Sequence, residues 1–356
     1  MKSDTMFAII KAEAKPGLTL TEVPVPQTEA GQVKIRILKT AICGTDLHIY
    51  NWDEWSQRTI KTPMIIGHEF VGEIAEIGAG VSGFKVGEIV SGEGHIVCRK
   101  CRNCMAGKLH MCKYTQGVGV NRNGCFAEYL FIPAENVVRV VPGISLDVAS
   151  CFDALGNAVH TALKFDLTGE DVLITGAGPI GIMSAIICRH CGAKKIAITD
   201  LNEYRLKLAK TVLPDVYAVD PRKIDTDDLM KEMGMNEGFD VGLEMSGSEA
   251  AFTDMVEHMD NGGRIALLGI HSGKTYINWD RVVFGGLTIT GIYGREMFDT
   301  WYKMMSMLQT GLDVEKVITH RFDYKDFEKG FEVMQSGQSG KVVLKWADAE
   351  SGKETT

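Results

Sequence analysis

The chain has 356 residues, a formal net charge of −8, 45% hydrophobic residues and 24% charged residues. That length allows two domains with separate cores, and the acidic balance argues against a nucleic-acid or anionic-membrane partner, whose footprints are basic. No apolar run reaches the roughly 18 residues of a membrane span, and the start Met1–Met6 lacks a signal peptide's apolar core. The expected location is therefore cytoplasmic, and the nine cysteines read as ligands or buried thiols rather than a disulfide framework.

Phe7–Ile10 and Leu18–Val23 read as short strands, the second broken by Pro24 and Pro26. Val33–Cys43 alternates as a longer strand and ends in Cys43-Gly44-Thr45-Asp46-Leu47-His48. Gly44 is expected to turn the backbone tightly. A second strand, Phe70–Gly78, is preceded by Gly67-His68-Glu69. Thiol, imidazole and carboxylate are the side chains a catalytic zinc takes, three from the protein with one position open. Three unrelated polar residues near turns is the competing reading of Cys43, His68 and Glu69.

The sharpest local signal is Cys98-x2-Cys101-x2-Cys104-x7-Cys112. Four thiolates close a tetrahedral site, so this one is expected to hold a structural zinc. An iron–sulfur cluster is the rival, disfavoured because no proline follows the last cysteine and no second cysteine run exists.

Phe126–Ile132 and Val137–Val141 read as strands, and Ser145 as the N-cap of a helix. A domain boundary is expected near residues 155–165. Asp171–Thr175 then forms a buried strand, followed by Gly176-Ala177-Gly178-Pro179-Ile180-Gly181, a helix, and a further strand, Lys195–Thr199, ending at Asp200. This is the whole dinucleotide fingerprint: Gly176 for the turn, Gly178 for the approach of a pyrophosphate, Gly181 for helix–strand packing. Asp200 would hold the adenosine ribose and disfavour a 2′-phosphate, pointing to NAD, while nearby Arg205 pulls the other way. Phe239–Glu244, Gly263–Gly269 and Leu287–Thr290 continue as strands, with helices over Ala250–Met259 and Phe298–Leu308. Lys341–Trp346 reads as a strand returning to the first domain, and 347–356 as a disordered polar tail. Cys125 is expected to be a core thiol, Cys188 and Cys191 to serve helix packing, and Met304, Met305 and Met307 to pack in the core or at a subunit interface.

Together these residues resemble the zinc-dependent medium-chain dehydrogenase/reductase family along nearly the whole chain. Cys43–Asp46, Gly67–Gly72, the four-cysteine run and the glycine loop carry the resemblance. The longer stretches Gly117–Arg122, Gly124–Tyr129, Phe152-Asp153, Gly156–Leu163, Asp200–Arg205, Gly291–Phe298 and Ser336–Lys341 are similar to members that oxidise L-threonine. Gly87–Val90 and Ala154 depart from common family patterns, away from the proposed chemistry.

The resemblance implies an α/β fold with a GroES-like β-rich catalytic domain over 1–157, completed by 299–356. A Rossmann domain with a doubly wound parallel sheet would cover 158–298. It implies one catalytic zinc on Cys43, His68 and Glu69, and one structural zinc on Cys98, Cys101, Cys104 and Cys112. NAD would be held by Gly176, Gly178, Ile180, Gly181, Asp200, Arg205, Leu268, Gly269, Ile270, Ile292 and Tyr293. Thr45 and His48 match proton-relay positions, and Asp153 an acidic position beside the catalytic zinc. Cys151 lies close to Asp153 and leaves the inner ligand set open. The implied reaction is oxidation of the secondary hydroxyl of L-threonine to 2-amino-3-oxobutanoate by a cytoplasmic homotetramer. Glu93, His95 and Asp153 are candidates for the amino acid's charged groups. A polyol or secondary-alcohol dehydrogenase shares the same motifs. A non-catalytic NAD-binding zinc scaffold is the alternative of another class, opposed by the intact Cys43/His68/Glu69 set.

Overall fold

The computed structural model of the protein describes residues 4–271 and 273–349; most of the expected polar tail lies outside them. Two sheets dominate. The first runs Val137–Arg139, Ile89–Gly92, Glu69–Ile77, Gln32–Ile42, Lys341–Lys345, Ile318–Asp323, with Tyr129–Pro133 also paired to Gln32–Ile42. Its pairings are antiparallel except the last, between Ile318–Asp323 and Lys341–Lys345. Gln32–Ile42 and Glu69–Ile77 pair with Ala41 opposite Glu69. That register sets Cys43, just past one strand end, beside His68 and Glu69 at the start of the other.

The chain turns at Gly44, which opens the helix Gly44–Asn51, for which Cys43 is the N-cap and Asp46 Oδ2 accepts from the Cys43 N–H at 2.9 Å. One local expectation changes. The strand expected over Phe126–Ile132 begins only at Tyr129. Cys125 and Phe126 instead donate their N–H groups to Gly67 and Ile66, where Phe126 packs on Gly67 so closely that a Cβ there would sit 2.1 Å from its ring. Pairing with the His68 segment outcompetes strand continuation.

The second sheet is parallel, in the order Tyr217–Val219, Lys195–Thr199, Asp171–Thr175, Phe239–Glu244, Met259–Leu267, Thr288–Gly291. This is a doubly wound sheet whose strand order reverses at Asp171–Thr175, so its ligand crevice lies beyond the carboxyl end of that strand. Helix Pro179–His190 starts there with Gly178 as N-cap and Pro179 in its first turn. Helix Phe152–Ala162 has all but Asn157 buried, as expected of a helix enclosed on every side. It packs against helix Pro179–His190 and strand Glu69–Ile77, joining the two sheets. Trp301 and Met304 of helix Asp299–Gln309 are buried in the same core.

Candidate active site

Cys43, His68 and Glu69 converge, each offering a ligand atom within 4.8 Å of the others. Glu69 is fully buried, and its Oε1 has no hydrogen-bond partner. An unpaired buried carboxylate oxygen is costly, and a metal ion removes that cost. Burial alone would lower the His68 pKa; the Cys43 and Asp46 charges raise it well above the ordinary histidine value. The donor set and this attraction for a cation fit a zinc with one open position.

The surrounding shell was less visible from sequence. Lys341, buried, lies 2.6 Å from Glu69 Oε2 and donates to the Ile42 carbonyl at 3.0 Å. Its own burial would depress its pKa, but Glu69 outweighs this and holds it above the usual lysine range. Asp153 reaches the same cavity, with Arg295 Nη1 2.7 Å from its Oδ2. Arg295, only 2% exposed, also donates from Nε to Glu93 Oε2 at 2.8 Å, and Trp301 Nε1 donates to that oxygen at 2.9 Å. Glu93 is thereby occupied, which corrects its reading as a partner for a substrate's charged groups. His95 lines the cavity and stacks on Tyr293, ring centroids 5.4 Å apart. Cys151 stays outside the ligand cluster; burial pushes its thiol up to about 12.

Thr45 lies on the cavity wall, Oγ1 3.8 Å from Cys43 Sγ. His48, on the same helix, is 62% exposed, and its Nδ1 is 2.5 Å from Asp53 Oδ2. The cavity, about 430 Å³, has walls from both sheets: Cys43, Thr45, His68 and Asp153 on one side, Leu268, Ile270, Ile292 and Tyr293 on the other.

The glycine loop and its neighbours lie at the carboxyl edge of the parallel sheet. Gly176 has φ of 93°, and a Cβ on Gly181 would sit 1.9 Å from the Gly176 carbonyl oxygen, whereas one on Gly178 would meet nothing within 4 Å. The open face at Gly178, above an uncapped helix start, suits the phosphates of a dinucleotide. Asp200 Oδ2 accepts from the Ala177 N–H at 2.7 Å, and Arg205 Nη1 stands 3.9 Å from the same oxygen. Ile180 is half-buried on the helix, and Gly269 follows the strand Met259–Leu267.

The second cluster gathers Cys98, Cys101, Cys104 and Cys112. Adjacent sulfurs are 3.5–4.0 Å apart, too far for disulfides. Backbone N–H groups directed at Cys101 Sγ lower its pKa to about 6, while burial pushes Cys104 up to about 12. A shared cation resolves that conflict.

The description "Alcohol dehydrogenase GroES-like domain" matches residues 29–142, and "Zinc-binding dehydrogenase" matches 179–310. L-threonine 3-dehydrogenases of Shewanella putrefaciens and Escherichia fergusonii are each 59% identical over 96% of this chain and the whole of theirs. The chain belongs to the zinc-dependent medium-chain dehydrogenase family. Among solved structures, a short chain alcohol dehydrogenase from E. coli CFT073 in complex with NADH superposes with a TM-score of 0.88 at 26% identity, covering 97% of this chain and 100% of that one. An alcohol dehydrogenase from Thermus sp. ATN1 shares the fold with a TM-score of 0.87 at 24% identity over 96% of this chain and 99% of its own. This dehydrogenase has, among its described residues, no helix long and apolar enough to cross a membrane.

Proposed function

We propose that this dehydrogenase oxidises the secondary hydroxyl of L-threonine to 2-amino-3-oxobutanoate with NAD as acceptor. The observation that carries the reading is the 59% identity over nearly the full chain to proteins named L-threonine 3-dehydrogenase. Cys43, His68 and Glu69 would hold a catalytic zinc, and Cys98, Cys101, Cys104 and Cys112 a structural one. Gly176, Gly178, Ile180, Gly181, Asp200 and Arg205 would seat the adenosine and pyrophosphate of NAD, with Leu268, Gly269, Ile270, Ile292 and Tyr293 around its nicotinamide end. When bound, zinc supplies a Lewis acid for the hydroxyl and NAD a hydride acceptor.

The chain's own side chains do the rest. Thr45 Oγ1, on the cavity wall, takes up the hydroxyl proton as it gives up its own outward, and His48, its exposed ring oriented at Nδ1 by Asp53, takes up a proton at the outer end of the path and releases one to water. Asp153, fixed by Arg295, presents a carboxylate to the substrate's ammonium. The catalytic domain is assigned to 1–157 with 299–356, and the NAD-binding domain to 158–298. The reaction belongs to threonine catabolism in the cytoplasm, and the assembly is a homotetramer. Exposed Trp279, Val283 and Phe284, next in the chain to the edge strand Thr288–Gly291, support self-association.

A panel of L-threonine, sorbitol and 2,3-butanediol with NAD tests the reading. L-Threonine is expected to be turned over best; faster turnover of either polyol would replace the substrate assignment. Failure to reduce NAD with any alcohol, together with one chelator-resistant zinc per subunit, would point to a scaffold.

A further inference from the structure

Glu244 ends the central strand Phe239–Glu244, in register with Thr175 on one side and Leu267 on the other. It is fully buried. Its Oε1 accepts from the N–H groups of Ser246 at 2.8 Å and Gly247 at 2.9 Å, and from Ser246 Oγ at 2.5 Å. Its main-chain carbonyl accepts from the N–H groups of Leu268 at 2.9 Å and Gly269 at 3.0 Å. One residue thus ties together the two loops that follow adjacent strands at the cofactor edge of the sheet.

The other carboxylate oxygen, Oε2, is buried without a hydrogen bond. It faces His271 Nε2 at 3.6 Å, a buried atom with no hydrogen-bond partner among the described residues. The imidazole is otherwise placed: Thr275 Oγ1 is 3.0 Å from its Nδ1, and its ring meets Phe252 edge-on at 5.6 Å. The loops are in close contact here, since a Cβ on Gly269 would sit 2.2 Å from Glu244 Oε2 and one on Gly247 would sit 2.5 Å from the Ile270 carbonyl oxygen. Leu268 and Ile270, on the same loop, line the cavity that Cys43 and His68 share.

We propose that Glu244 and His271 form a latch behind the 268–271 loop, and that closing their gap to a direct hydrogen bond fixes Leu268 and Ile270 as the cofactor-facing wall of the cavity. Both are positioning residues. The proposal rests on the NAD reading above and adds the device that holds one wall of that site. Among the described residues neither atom has a hydrogen-bond partner, and a shift of well under 1 Å brings 3.6 Å into the range of a charge-assisted bond. A loop that moves this far on cofactor binding satisfies two buried groups at once.

The test is NADH binding to the zinc-loaded full chain by nicotinamide fluorescence, with steady-state kinetics alongside. His271→Phe keeps a ring against Phe252 and removes both nitrogens; His271→Gln restores an N–H that can reach Glu244. His271→Phe is expected to weaken NADH binding and raise the KM for NAD about tenfold. The KM for L-threonine at saturating NAD, the zinc content and the thermal midpoint should stay near the parent values, and His271→Gln should recover most of the loss. NADH affinity of His271→Phe within twofold of the parent overturns the latch, as does a His271→Gln variant no better than His271→Phe. Failure of the unmodified protein to bind NADH would instead sink the cofactor reading on which the latch stands.

Discussion

Glu93→Gln asks whether a buried charge network, rather than packing alone, holds the cavity wall. Glu93 is fully buried and accepts from Arg295, from Trp301 Nε1 and from the His95 N–H at 2.9 Å. Burial pushes this carboxyl up; the Arg295 guanidinium and its hydrogen bonds outweigh that and hold it at about 2 against an ordinary 4.5. Because the folded value lies below the unfolded one, the stabilisation is complete above the unfolded value and is lost as pH falls toward the folded value. The difference, about 2.5 in pH, corresponds to about 3 kcal/mol. Glutamine keeps the shape but cannot carry the charge, and its amide group faces donors. The variant is expected to lose about 3 kcal/mol at neutral pH, and the loss should shrink as pH falls from about 4.5 toward 2, where the parent carboxyl also gains its proton. Urea unfolding of both proteins across pH, after chelation so that metal release does not contribute, measures this. A neutral-pH loss under about 1 kcal/mol, or one that does not change with acidity, would refute the argument.

Three further outcomes are expected. Asp200→Ala should raise the KM for NAD about tenfold and narrow the preference over NADP, read from kcat/KM with each cofactor; unmodified protein using both equally would contradict the assignment. His48→Ala should lower kcat about tenfold or more while zinc content and NADH affinity hold; an unchanged rate across the pH range would remove His48 from the proton path. Cys104→Ser should release one zinc per subunit, measured by atomic absorption, and lower the unfolding temperature; iron and acid-labile sulfide in the purified protein would replace zinc at that lobe.

How much was legible in advance depended on range in the chain. The glycine loop was readable because Gly176, Gly178 and Gly181 do their work within one strand–turn–helix unit, where a Cβ at Gly181 would collide with Gly176 itself. The four cysteines are equally local. Cys43, His68 and Glu69 could be singled out as ligand types, but their convergence depends on the Ala41–Glu69 register, which alternation alone does not set. Arg295 and Lys341 were the residues missed. Each sits in a stretch quoted for its resemblance, yet its meaning comes from a distant partner: Arg295 meets Glu93 across 202 positions, and Lys341 reaches Glu69 because the strand Lys341–Lys345 pairs with Gln32–Ile42. A buried arginine has no sequence signature separate from an exposed one. The turn at Gly44 was readable from glycine itself, whereas the capping of the Cys43 N–H by Asp46, which starts the helix there, was not.

The charges around the cavity explain why those two cations matter. Arg295 offsets Glu93 and braces Asp153; Lys341 offsets Glu69. Asp46 remains buried with one oxygen unpaired, beside His68 and the Cys43 thiol. Burial raises the Asp46 pKa, and the Cys43 and Asp46 charges raise that of His68 despite its burial. Arg295 and Lys341 thus pair with Glu93, Asp153 and Glu69 beside the point where Cys43, His68 and Glu69 converge. A divalent cation held by these three side chains would compete with protons for them, so its affinity would weaken with acidity. Lys341 has a second consequence. Its Nζ lies 2.6 Å from Glu69 Oε2, so Oε1 is the oxygen that would be left to hold a cation beside Cys43 and His68.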